Sequence, residues 1–574
     1  MTPESKADRD APELPRGLVD GVLAWIVRDP DPATRAELEG LLEARDEEAL
    51  RARFDRPLVF GTAGLRGALG AGPGRMNRAV VRATTAGLAR WVADQGDAAR
   101  RAGIVVGYDA RHGSAVFAED VAAVAAAAGV RVRAFPRALP TPITAFAVRQ
   151  LGASAGVMIT ASHNPAADNG YKAYAADGAQ VIPPDDTRIA DLAAELGPSP
   201  EACSPRGALA LVERLDETAL LSAYAATVSS VLEPDGPRQL RVVYTPLHGV
   251  GGAVLPELLV GAGFDPPTLV ARQAEPDPEF PTVAFPNPEE PGALDLALAR
   301  AREVGADVIL ANDPDADRLA VAFADRAGEF RVLTGDELGA LLGDYLLGKR
   351  PGPGRLVATT IVSSSLLAAL AAEAGAEYAE TLTGFKWIAR AAASRPGSRL
   401  VFGYEEALGY AVSDAVADKD GLSAALVAAE LAATEKAAGR TLADRLNDIA
   451  ARLGVHLTTQ IALRGDNEGA IGEFAAAMAR LRAHPPDRLA GIDVTEVVDY
   501  APGTRDLPPA DVLAWRLGDG ARVVLRPSGT EPKFKAYLEV RTEPPGRAGL
   551  ETARAEAAAT LALLRRDVEA MLAG

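Results

Sequence analysis

The sequence predicts an α/β protein of several domains. Short runs rich in β-branched residues, such as Gly103–Asp109 and Ala155–Ile159, alternate with alanine-rich stretches of helical spacing such as Phe117–Ala128. This alternation is typical of parallel or mixed sheets with helices on their faces. The chain has 574 residues, too many for one hydrophobic core, and at about 150 residues per domain three or four domains are expected.

The composition is that of a globular protein with an acidic surface. Hydrophobic residues make up 48% of the chain and charged residues 24%, which is ordinary for such proteins. The formal net charge of −18 argues against nucleic acid or an anionic membrane as the main partner. A phosphate-binding site would therefore have to gather basic residues locally.

Nothing in the sequence indicates export or membrane insertion. Cys203 is the single cysteine, which excludes an intramolecular disulfide and favours a reducing compartment. Met1–Arg16 is polar and charged, unlike a signal peptide, and no run is long and apolar enough to span a bilayer. We therefore expect a cytoplasmic protein.

The first unit begins with helices and a glycine-rich loop. Leu18–Arg53 has the apolar spacing and the helix formers of helical segments. Phe60–Gly67 then places three glycines in eight residues beside Arg66, which suits a loop whose backbone approaches an anion, although a plain turn is the alternative. The following helices are expected in Ala79–Asp94, Phe117–Ala128, Ala145–Leu151 and Thr187–Leu196, and strands in Gly103–Asp109 and Val130–Phe135.

A serine is placed at the end of a predicted buried strand. The strand Ala155–Ile159 is followed by Thr160–Pro165, in which Asn164 and Pro165 favour a turn and so end the strand. Ser162 therefore lies on a loop that a ligand can reach. Simple turn chemistry is the alternative for a serine in this setting.

A lysine follows this loop at short range. Asn169-Gly170 is a strong signal for a tight hairpin turn. Such a turn would bring Lys172 back toward Ser162.

The second unit carries three aspartates after a buried strand. Its first strand, Arg241–Tyr244, runs into the glycine-rich Thr245–Gly252, a helix N-terminus able to hold an anion, in which His248 is either a ligand contact or a structural hydrogen bonder. A second strand, Asp307–Ala311, precedes carboxylates at alternate positions, Asp313, Asp315 and Asp317.

The three aspartates predict a divalent-cation site. Carboxylates so close repel one another, and a hard cation with oxygen ligands is the natural compensation; a solvated acidic turn is the alternative. A calcium loop between helices fits poorly, because Arg318 stands where its glycine is needed and Ala324 where its closing glutamate is needed. One or two carboxylates with phosphate oxygens is chemistry typical of Mg²⁺.

The third and fourth units each carry a loop suited to part of a sugar phosphate. Gly403–Gly409 holds Glu405 and Glu406, which can accept hydrogen bonds from sugar hydroxyls, and the glycine turn Thr383–Trp387 includes a lysine. The turn near the C-terminus combines a guanidinium, two hydroxyls, exposed amides and an ammonium, the parts of a phosphate clamp. Its members are Arg526, Ser528, Gly529, Thr530 and Lys533. Plain solvated turns are the alternative in both places.

The four loops lie in four expected domains. A nucleophilic hydroxyl, a metal site, sugar acceptors and a phosphate clamp are distributed over one unit each. We place the boundaries at residues 1–232, 233–344, 345–458 and 459–574.

With these motifs in place, the chain resembles the alpha-D-phosphohexomutase superfamily over nearly its whole length. The resemblance rests on TASHNP at 160–165, DPDADR at 313–318, GYEEALG at 403–409 and RPSGTEPK at 526–533, in the order of the family. FGTAGLRG, TPLHGVGG and TGFKWI are most similar to the branch with bacterial phosphoglucomutases and phosphopentomutase/glucose-bisphosphate enzymes. The resemblance implies three related α/β domains with mixed sheets and a smaller α+β C-terminal domain around one cleft.

The resemblance also implies roles for single residues. Ser162 matches the serine that carries the phosphoryl group, and its phosphate completes a Mg²⁺ site with Asp313, Asp315 and Asp317. Glu405, with Glu406 beside it, matches the sugar acceptor, and the turn from Arg526 to Lys533 matches the clamp for the second phosphate. Cationic or proton-handling positions along the cleft are matched by Arg66, His163, Lys172, Arg318 and Lys386.

The implied activity is that of a phosphosugar mutase primed by a sugar 1,6-bisphosphate. Sugar phosphates are the expected partners, and we expect a monomer or weak homo-oligomer. Many relatives read Glu-x-Ser in the sugar loop, whereas this chain has Ala407, so one hydroxyl contact to the sugar is missing. A phosphoglucomutase is expected first, with a phosphomannomutase or phosphopentomutase, a sugar-phosphate-binding regulator and a phosphatase using the aspartates as nucleophiles as alternatives.

Overall fold

Four β-sheets follow one another along the chain in the computed structural model. The structure describes residues 13–59, 64–197, 208–465, 469–504, 506–518, 520–527 and 533–573. Phe60–Ala63, Cys203 and Ser528–Pro532, which include three members of the predicted clamp, lie outside the described residues. The predicted α/β class is confirmed, with mixed sheets in the first three units.

Three short helices precede the first sheet, as expected for Leu18–Arg53. They are α1 (Arg16–Arg28), α2 (Pro32–Glu43) and α3 (Glu47–Phe54). The side chains of Asp31 and Asp46 cap the second and third helices. Val22, Leu38 and Leu50 form a small fully buried core between the helices.

The first sheet is mixed and has the order β1-β5-β4-β2-β3-β6. Its strands are β1 (Leu65–Ala68), β2 (Ile104–Tyr108), β3 (Val132–Ala134), β4 (Ala155–Ile159), β5 (Asp168–Ala175) and β6 (Val212–Arg214), and its helices are α4 (Arg78–Asp94), α5 (Asp97–Ala102), α6 (Ser114–Ala127), α7 (Thr141–Gln150), α8 (Asp185–Leu196) and α9 (Glu217–Ser229). β2, β3, β4 and β6 are parallel, whereas β1 and β5 run antiparallel to their neighbours. The buried strand and the helices predicted in this unit are confirmed.

The predicted turn at Asn169-Gly170 is wrong. Both residues lie inside β5, which pairs with β1 on one side and β4 on the other. A Cβ on Gly170 would lie 2.5 Å from the carbonyl oxygen of Thr160 and 2.8 Å from that of Leu65. The glycine is therefore required by the close approach of neighbouring backbones and not by a turn.

The second sheet has the order β11-β10-β9-β7-β8. Its elements are β7 (Val242–Thr245), α10 (Leu255–Gly261), β8 (Thr268–Leu269), α11 (Asp295–Val304), β9 (Val308–Ala311), β10 (Ala320–Ala324) and β11 (Phe330–Val332). The glycine loop after β7 packs closely against the aspartate loop after β9. A Cβ on Gly249 would lie only 2.3 Å from Pro314 Cα, so this position requires glycine. His248 is buried and bonds Thr282 Oγ1 at 2.8 Å, which makes it a structural hydrogen bonder.

The third sheet has the order β13-β12-β14-β15 and is covered mainly by helices. Its elements are α12 (Gly335–Lys349), β12 (Arg355–Thr360), α13 (Leu366–Ala374), β13 (Glu377–Thr381), α14 (Phe385–Ile388), β14 (Arg399–Glu405), β15 (Gly409–Ala411), α15 (Gly421–Ala437) and α16 (Leu442–Leu453). Helix α15 is buried over almost its whole length. It therefore forms part of the core shared with the first two units.

The fourth sheet has the order β16-β21-β20-β19-β18-β17, with antiparallel pairing throughout the described residues. Its elements are β16 (His456–Arg464), α17 (Gly469–Ala483), β17 (Arg488–Leu489), β18 (Ile492–Asp499), β19 (Leu513–Leu517), β20 (Ala521–Pro527), β21 (Lys533–Arg541) and α18 (Leu550–Ala573). Helices α17 and α18 pack on this sheet around the fully buried Trp515.

Two of the predicted domain boundaries fall inside secondary-structure elements. The boundary between residues 344 and 345 cuts α12, and the boundary between 458 and 459 cuts β16. Because α12 packs on β14 and β16 pairs with β21, we propose that the third unit begins near Gly335 and the fourth near His456. In the described parts of the chain, no helix has both the length and the apolar character that a bilayer crossing requires.

Candidate active site

The loop of Ser162 joins β4 to β5 and has a strained backbone. Ser162 has φ +53°, a left-handed conformation that costs a non-glycine residue about 1–2 kcal/mol. Its amide donates to Thr160 Oγ1 at 2.8 Å, and its side chain is buried. The sequence therefore folds this loop around a serine held in one orientation.

The aspartate loop meets the serine loop from the next sheet. Asp313, Asp315 and Asp317 follow β9, are fully buried, and have carboxylate oxygens within 4.8 Å of one another. Ser162 Oγ donates to Asp313 Oδ2 at 2.6 Å. Thr141, at the start of α7, donates to Asp315 Oδ2 at 2.7 Å. The predicted hydroxyl and the predicted metal site thus form one cluster.

Two buried lysines balance the charge of this cluster. Lys172 Nζ lies 2.8 Å from both Asp315 Oδ2 and Asp317 Oδ2, and Lys419 Nζ lies 3.3 Å from Asp317 Oδ2. Lys172 reaches the cluster because β5 pairs with β4 and places it opposite Met158. The predicted nearness of Lys172 and Ser162 is confirmed, although a strand and not a tight turn produces it.

Burial and these partners separate the pKa values of the three carboxyls. Burial and the charges of Asp315 and Asp317 raise the pKa of Asp313 well above its usual range. Burial would also raise the pKa of Asp317, but Lys172 and Lys419 outweigh it and hold that pKa below its ordinary value. The pKa of Asp315 is lowered by Lys172 against burial and the charge of Asp317.

The aspartate cluster fits a divalent cation. Asp315 Oδ1 and Asp317 Oδ1 are buried and accept no hydrogen bond from any described residue. Buried carboxylate oxygens that accept no hydrogen bond are oxygen ligands of the kind that Mg²⁺ prefers. A phosphate oxygen on Ser162 would add a further ligand beside Asp313.

Arg66 and Arg318 supply positive charge around the serine. Arg318 Nε lies 4.0 Å from Asp313 Oδ2 and from Asp317 Oδ1, and Arg66 Nη1 donates to Asn164 Oδ1 at 3.5 Å. The Nε of each arginine is buried and donates to none of the described residues. Both side chains therefore keep a donor for an anion.

His163 lies beside the serine hydroxyl. His163 Nδ1 is 3.3 Å from Ser162 Oγ and 3.9 Å from Asp313 Oδ2. Burial, together with the charges of Arg318 and Arg66, lowers the pKa of His163 well below its ordinary value. The imidazole is therefore neutral near pH 7 and a weaker base than an exposed histidine.

The predicted sugar loop contacts Arg318, the residue that follows the three aspartates. Glu405 Oε1 accepts a hydrogen bond from the amide of Gly384 at 2.7 Å, and Arg318 donates to the carbonyl of Ala407. Lys386 lies in the short helix α14 and not in the predicted turn; it is buried, 3.9 Å from Asp186 Oδ2, and burial lowers its pKa. The loop of the third unit is thus joined to the aspartate loop of the second.

Glu406 has different surroundings from Glu405. Ser363 Oγ donates to Glu406 Oε2 at 3.1 Å, and Glu406 lines a cavity of about 340 Å³ between the second, third and fourth units. Burial and the charges of Glu405 and Asp336 raise its pKa to about 7. The Glu406 side chain therefore lies at the wall of this cavity, where it is hydrogen-bonded to Ser363.

The phosphate clamp is described at its two ends. Arg526 lies near the end of β20 and Lys533 begins β21. Lys535, which the sequence analysis did not single out, pairs directly opposite Arg526 across these strands, a like-charged pair that an anion would stabilise. Burial lowers the pKa of Lys535, whose charged neighbours are Glu406, Glu289, Arg318 and Arg526. Lys535 thus lies near both Arg526 and Arg318.

The sequence analysis missed four residues at this site. Lys535 lies next to a segment that it did single out, and Lys419 stands in the sequence between Asp418 and Asp420. Thr141 and Arg111 contact the two reactive loops from distant segments. No sequence signal near those loops could have identified the last two.

Sequence models of one protein family match the chain in four consecutive segments. They are described as phosphoglucomutase/phosphomannomutase alpha/beta/alpha domains I, II and III, at residues 57–198, 222–328 and 334–453, and as the C-terminal domain, at residues 468–557.

Three curated relatives carry three different substrate names. A probable phosphomannomutase of Haemophilus influenzae is 42% identical over 82% of this chain and 94% of its own length. A mouse phosphopentomutase is 35% identical over 93% and 91%. A phosphoglucomutase of Staphylococcus haemolyticus is 35% identical over 85% and 91%.

Solved structures show the same fold. A phosphomannomutase-type structure from Thermus thermophilus has a TM-score of 0.66 at 24% identity, covering 90% of this chain and all of its own. The open form of a Paramecium phosphoglucomutase, parafusin, has a TM-score of 0.67 at 16% identity, covering 90% and 94%.

Proposed function

The chain belongs to the phosphoglucomutase/phosphomannomutase family of phosphosugar mutases, and we propose that it interconverts α-D-glucose 1-phosphate and glucose 6-phosphate. One observation carries the proposal. The hydroxyl oxygen of Ser162 lies 2.6 Å from Asp313, which belongs to a buried triad of carboxylates. Lysine and arginine side chains lie against this triad. Catalysis of phosphoryl transfer consists mainly of positioning and of stabilising charge in such surroundings.

Ser162 carries the phosphoryl group in the proposed cycle. A hydroxyl oxygen of the bound sugar monophosphate attacks the phosphorus of phosphorylated Ser162, and the bond from this phosphorus to Ser162 Oγ breaks. The resulting sugar bisphosphate turns over in the cleft. Ser162 Oγ then attacks the other phosphorus, and the bond from this phosphorus to its sugar oxygen breaks. That sugar oxygen takes up the proton that the first hydroxyl released. The isomerised monophosphate and a phosphorylated serine remain, so that no phosphate is gained or lost.

The residues around Ser162 support both transfers. Arg66 and Arg318 offer buried guanidinium donors to the oxygens of the transferring group. Mg²⁺ held by Asp313, Asp315 and Asp317 would neutralise further charge on that group. Burial of the serine keeps water from hydrolysing the phosphoserine.

Two side chains can take the proton of the attacking sugar hydroxyl. His163 is neutral and lies beside Ser162 Oγ. Lys172 is held as an ammonium by Asp315 and Asp317, which raise its pKa against the effect of burial, so it must release these partners before it can act. Both remain candidates for the base.

The other two loops bind the parts of the substrate that do not react. Glu405, oriented by the amide of Gly384, accepts hydrogen bonds from sugar hydroxyls. Arg526 and Lys533, with Ser528, Gly529 and Thr530 between them in the sequence, hold the second phosphate. A sugar 1,6-bisphosphate primes the enzyme by phosphorylating Ser162.

A phosphopentomutase or phosphomannomutase is the alternative within the same chemistry. Ala407 removes one hydroxyl contact to the sugar loop, and the mouse phosphopentomutase matches the chain over 93% of its length. The deciding experiment compares kcat/KM for glucose, mannose and ribose 1-phosphates in the presence of Mg²⁺ and the matching bisphosphate. The largest kcat/KM for glucose 1-phosphate supports the proposal, and a larger value for either other sugar replaces it.

The same assay tests two other activities. A phosphatase would release inorganic phosphate without isomerised sugar, and a binding protein would hold sugar phosphates without converting them. Isomerised product without stoichiometric phosphate release excludes both.

A further inference from the structure

One buried arginine gathers the backbone carbonyls of the reactive loop. Arg111 is 4% exposed. Its Nη2 donates to the carbonyl oxygen of Ser162 at 2.7 Å and also to that of Asn164. Its Nη1 donates to the carbonyl oxygens of Pro165 at 2.7 Å and Asp168 at 3.1 Å. A single guanidinium thus joins four carbonyls across the entire loop.

The guanidinium is itself fixed from two sides. Asp109, at the end of β2, accepts from the Arg111 amide at 3.0 Å through Oδ1, and its Oδ2 lies 3.5 Å from Arg111 Nε. Ser114 Oγ donates to Asp109 Oδ1 at 2.6 Å and holds the carboxylate in turn. The ring of Phe280, from the second unit, covers the guanidinium at 4.9 Å. Hydrogen bonds from a charged donor in such dry surroundings are strong.

This arrangement determines which backbone groups the loop presents. With four carbonyl oxygens directed to Arg111, their negative ends are kept from the position beside Ser162 Oγ where the phosphoryl oxygens would lie. The left-handed backbone of Ser162 needs such support, because nothing in the local sequence favours it. Without the guanidinium, the carbonyls would lose their partner in a buried site.

We propose that Arg111 is a positioning residue that fixes the loop of Ser162 for phosphoryl transfer. The proposal rests on the proposed role of Ser162 as phosphoryl carrier. Arg111 acts through the backbone, because the acceptors of its guanidinium in the described residues are carbonyl oxygens of the loop and not the carboxylates of the aspartate cluster. Its loss should therefore lower kcat and the rate of serine phosphorylation, and leave KM nearly unchanged, because the sugar and the second phosphate are bound by the third and fourth units.

The test compares Arg111→Lys and Arg111→Ala with matched variants of Arg82. Arg82 is a largely buried arginine of the same sheet unit, bound to Asp120 at 2.6 Å, and it does not contact the loop. Each protein is incubated with glucose 1,6-bisphosphate and Mg²⁺, and phosphorylation of Ser162 is followed by intact mass and peptide mapping. Circular dichroism and the Tm verify the fold, and hydrogen exchange of residues 160–168 is measured in parallel.

We expect Arg111→Lys to slow phosphorylation and kcat by about 10²-fold, the cost of a misplaced reacting group, with KM changed by less than about threefold. Added guanidinium ion should restore part of the rate to Arg111→Ala and none to Arg82→Ala, which a general loss of stability would not produce. An Arg111→Lys variant phosphorylated as fast as the wild type overturns the proposal.

Failure of the proposed function gives a different result. If the wild type itself is not phosphorylated on Ser162, the carrier role is wrong, and hydrogen exchange alone decides on Arg111: faster exchange of the loop in Arg111→Lys supports positioning, and equal exchange overturns it. If Arg111→Lys does not fold, Asp109→Asn takes its place, since it keeps the guanidinium and removes its ion-pair partner. An unchanged phosphorylation rate in Asp109→Asn then counts against the proposal.

Discussion

Ser162 Oγ donates a 2.6 Å hydrogen bond to Asp313 Oδ2, although the two residues are 151 positions apart. The bond crosses from the loop after β4 in the first sheet to the loop after β9 in the second. It places a nucleophilic hydroxyl against the edge of a carboxylate cluster, so that a group carried by the serine would contact a cation bound by the cluster. The interface between two sheets, and neither sheet alone, therefore forms the candidate active site.

Ser162→Ala should abolish mutase turnover while the fold persists. The substitution removes the oxygen that carries the phosphoryl group in the proposed cycle and leaves one buried carboxylate without a hydroxyl donor. We expect activity to fall by at least about 10³-fold, measured by coupled assay, and no phosphate on residue 162 by mass spectrometry. Ser154→Ala, which removes a hydroxyl bonded to the carbonyl of Ala99 in the same unit, is the control and should retain activity. Full turnover by Ser162→Ala would end the proposal.

Mg²⁺ should raise the Tm of the wild type, and Asp313→Asn should remove this response. Burial and the neighbouring charges raise the pKa of Asp313, so the asparagine relieves repulsion and the metal-free variant should be at least as stable as the wild type. At about 100 times the dissociation constant, metal binding stabilises by about 2.7 kcal/mol, which a thermal-shift assay detects.

Asp325→Asn is the control for this metal prediction. Asp325 lies in the turn after β10 of the same unit, where it accepts from the amides of Ala327 and Glu329, and its variant should keep the Mg²⁺ response. An equal Mg²⁺ shift in Asp313→Asn would place the ion elsewhere. Activity should disappear with EDTA and return with Mg²⁺.

Glu406 should make stability depend on pH between 5 and 8. Its pKa is raised from 4.5 to about 7 by burial and by Glu405 and Asp336. Because the folded pKa is above the unfolded one, its contribution is complete below about pH 4.5 and is lost as the pH rises through 7. The shift corresponds to about 3 kcal/mol. The Tm of the wild type, relative to Glu406→Gln, should therefore fall between pH 5 and pH 8.

The exposed Glu377, on β13, provides the comparison. Glu377→Gln should follow the wild type at every pH, since its side chain is exposed to solvent. The prediction is contradicted if Glu406→Gln and the wild type lose stability in parallel over this range.

Arg522 should be essential for the attachment of the fourth unit. Arg522 Nε lies 2.7 Å from Glu539 Oε2, and Glu539 Oε1 accepts from Ser364 Oγ of the third unit at 2.7 Å. Arg522→Met leaves a buried carboxylate without its cation, which costs about 3–5 kcal/mol. Arg516→Met is the matched control, because Arg516 pairs across from Arg522 in the same sheet but is exposed. Chemical denaturation should show a loss only for the first variant.

The same ion pair predicts a loss of stability in acid. Burial alone would raise the pKa of Glu539, but Arg522 and His456 outweigh it and lower the pKa to about 2. With a depressed folded pKa, the stabilisation is present above about pH 4.5 and disappears as the pH falls toward 2. Glu539→Gln should flatten this dependence in a pH series of unfolding midpoints; an unaltered acid slope would show that other carboxyls cause it.

Much of the site could be predicted from local sequence. A buried strand followed by Thr160–Pro165 places Ser162 at a strand end, and three aspartates after the strand of Asp307–Ala311 indicate a cation site. The position at which a strand ends is a local feature, because it is set by the β-propensity of the strand residues and by the proline and glycine residues that follow them. For the same reason the helices of the first unit and the class of the fold were predictable.

The rest was decided by tertiary structure. Asn169-Gly170 has the local signature of a turn, yet it lies within β5, because pairing on both sides outweighs turn propensity and the glycine is needed for close packing. Lys172 meets Asp315 and Asp317 through strand register, and Arg111 meets the loop of Ser162 from a segment about 50 residues earlier. These contacts depend on which segments of the chain pack together. That is a property of long-range burial and strand pairing, which no local window of sequence contains.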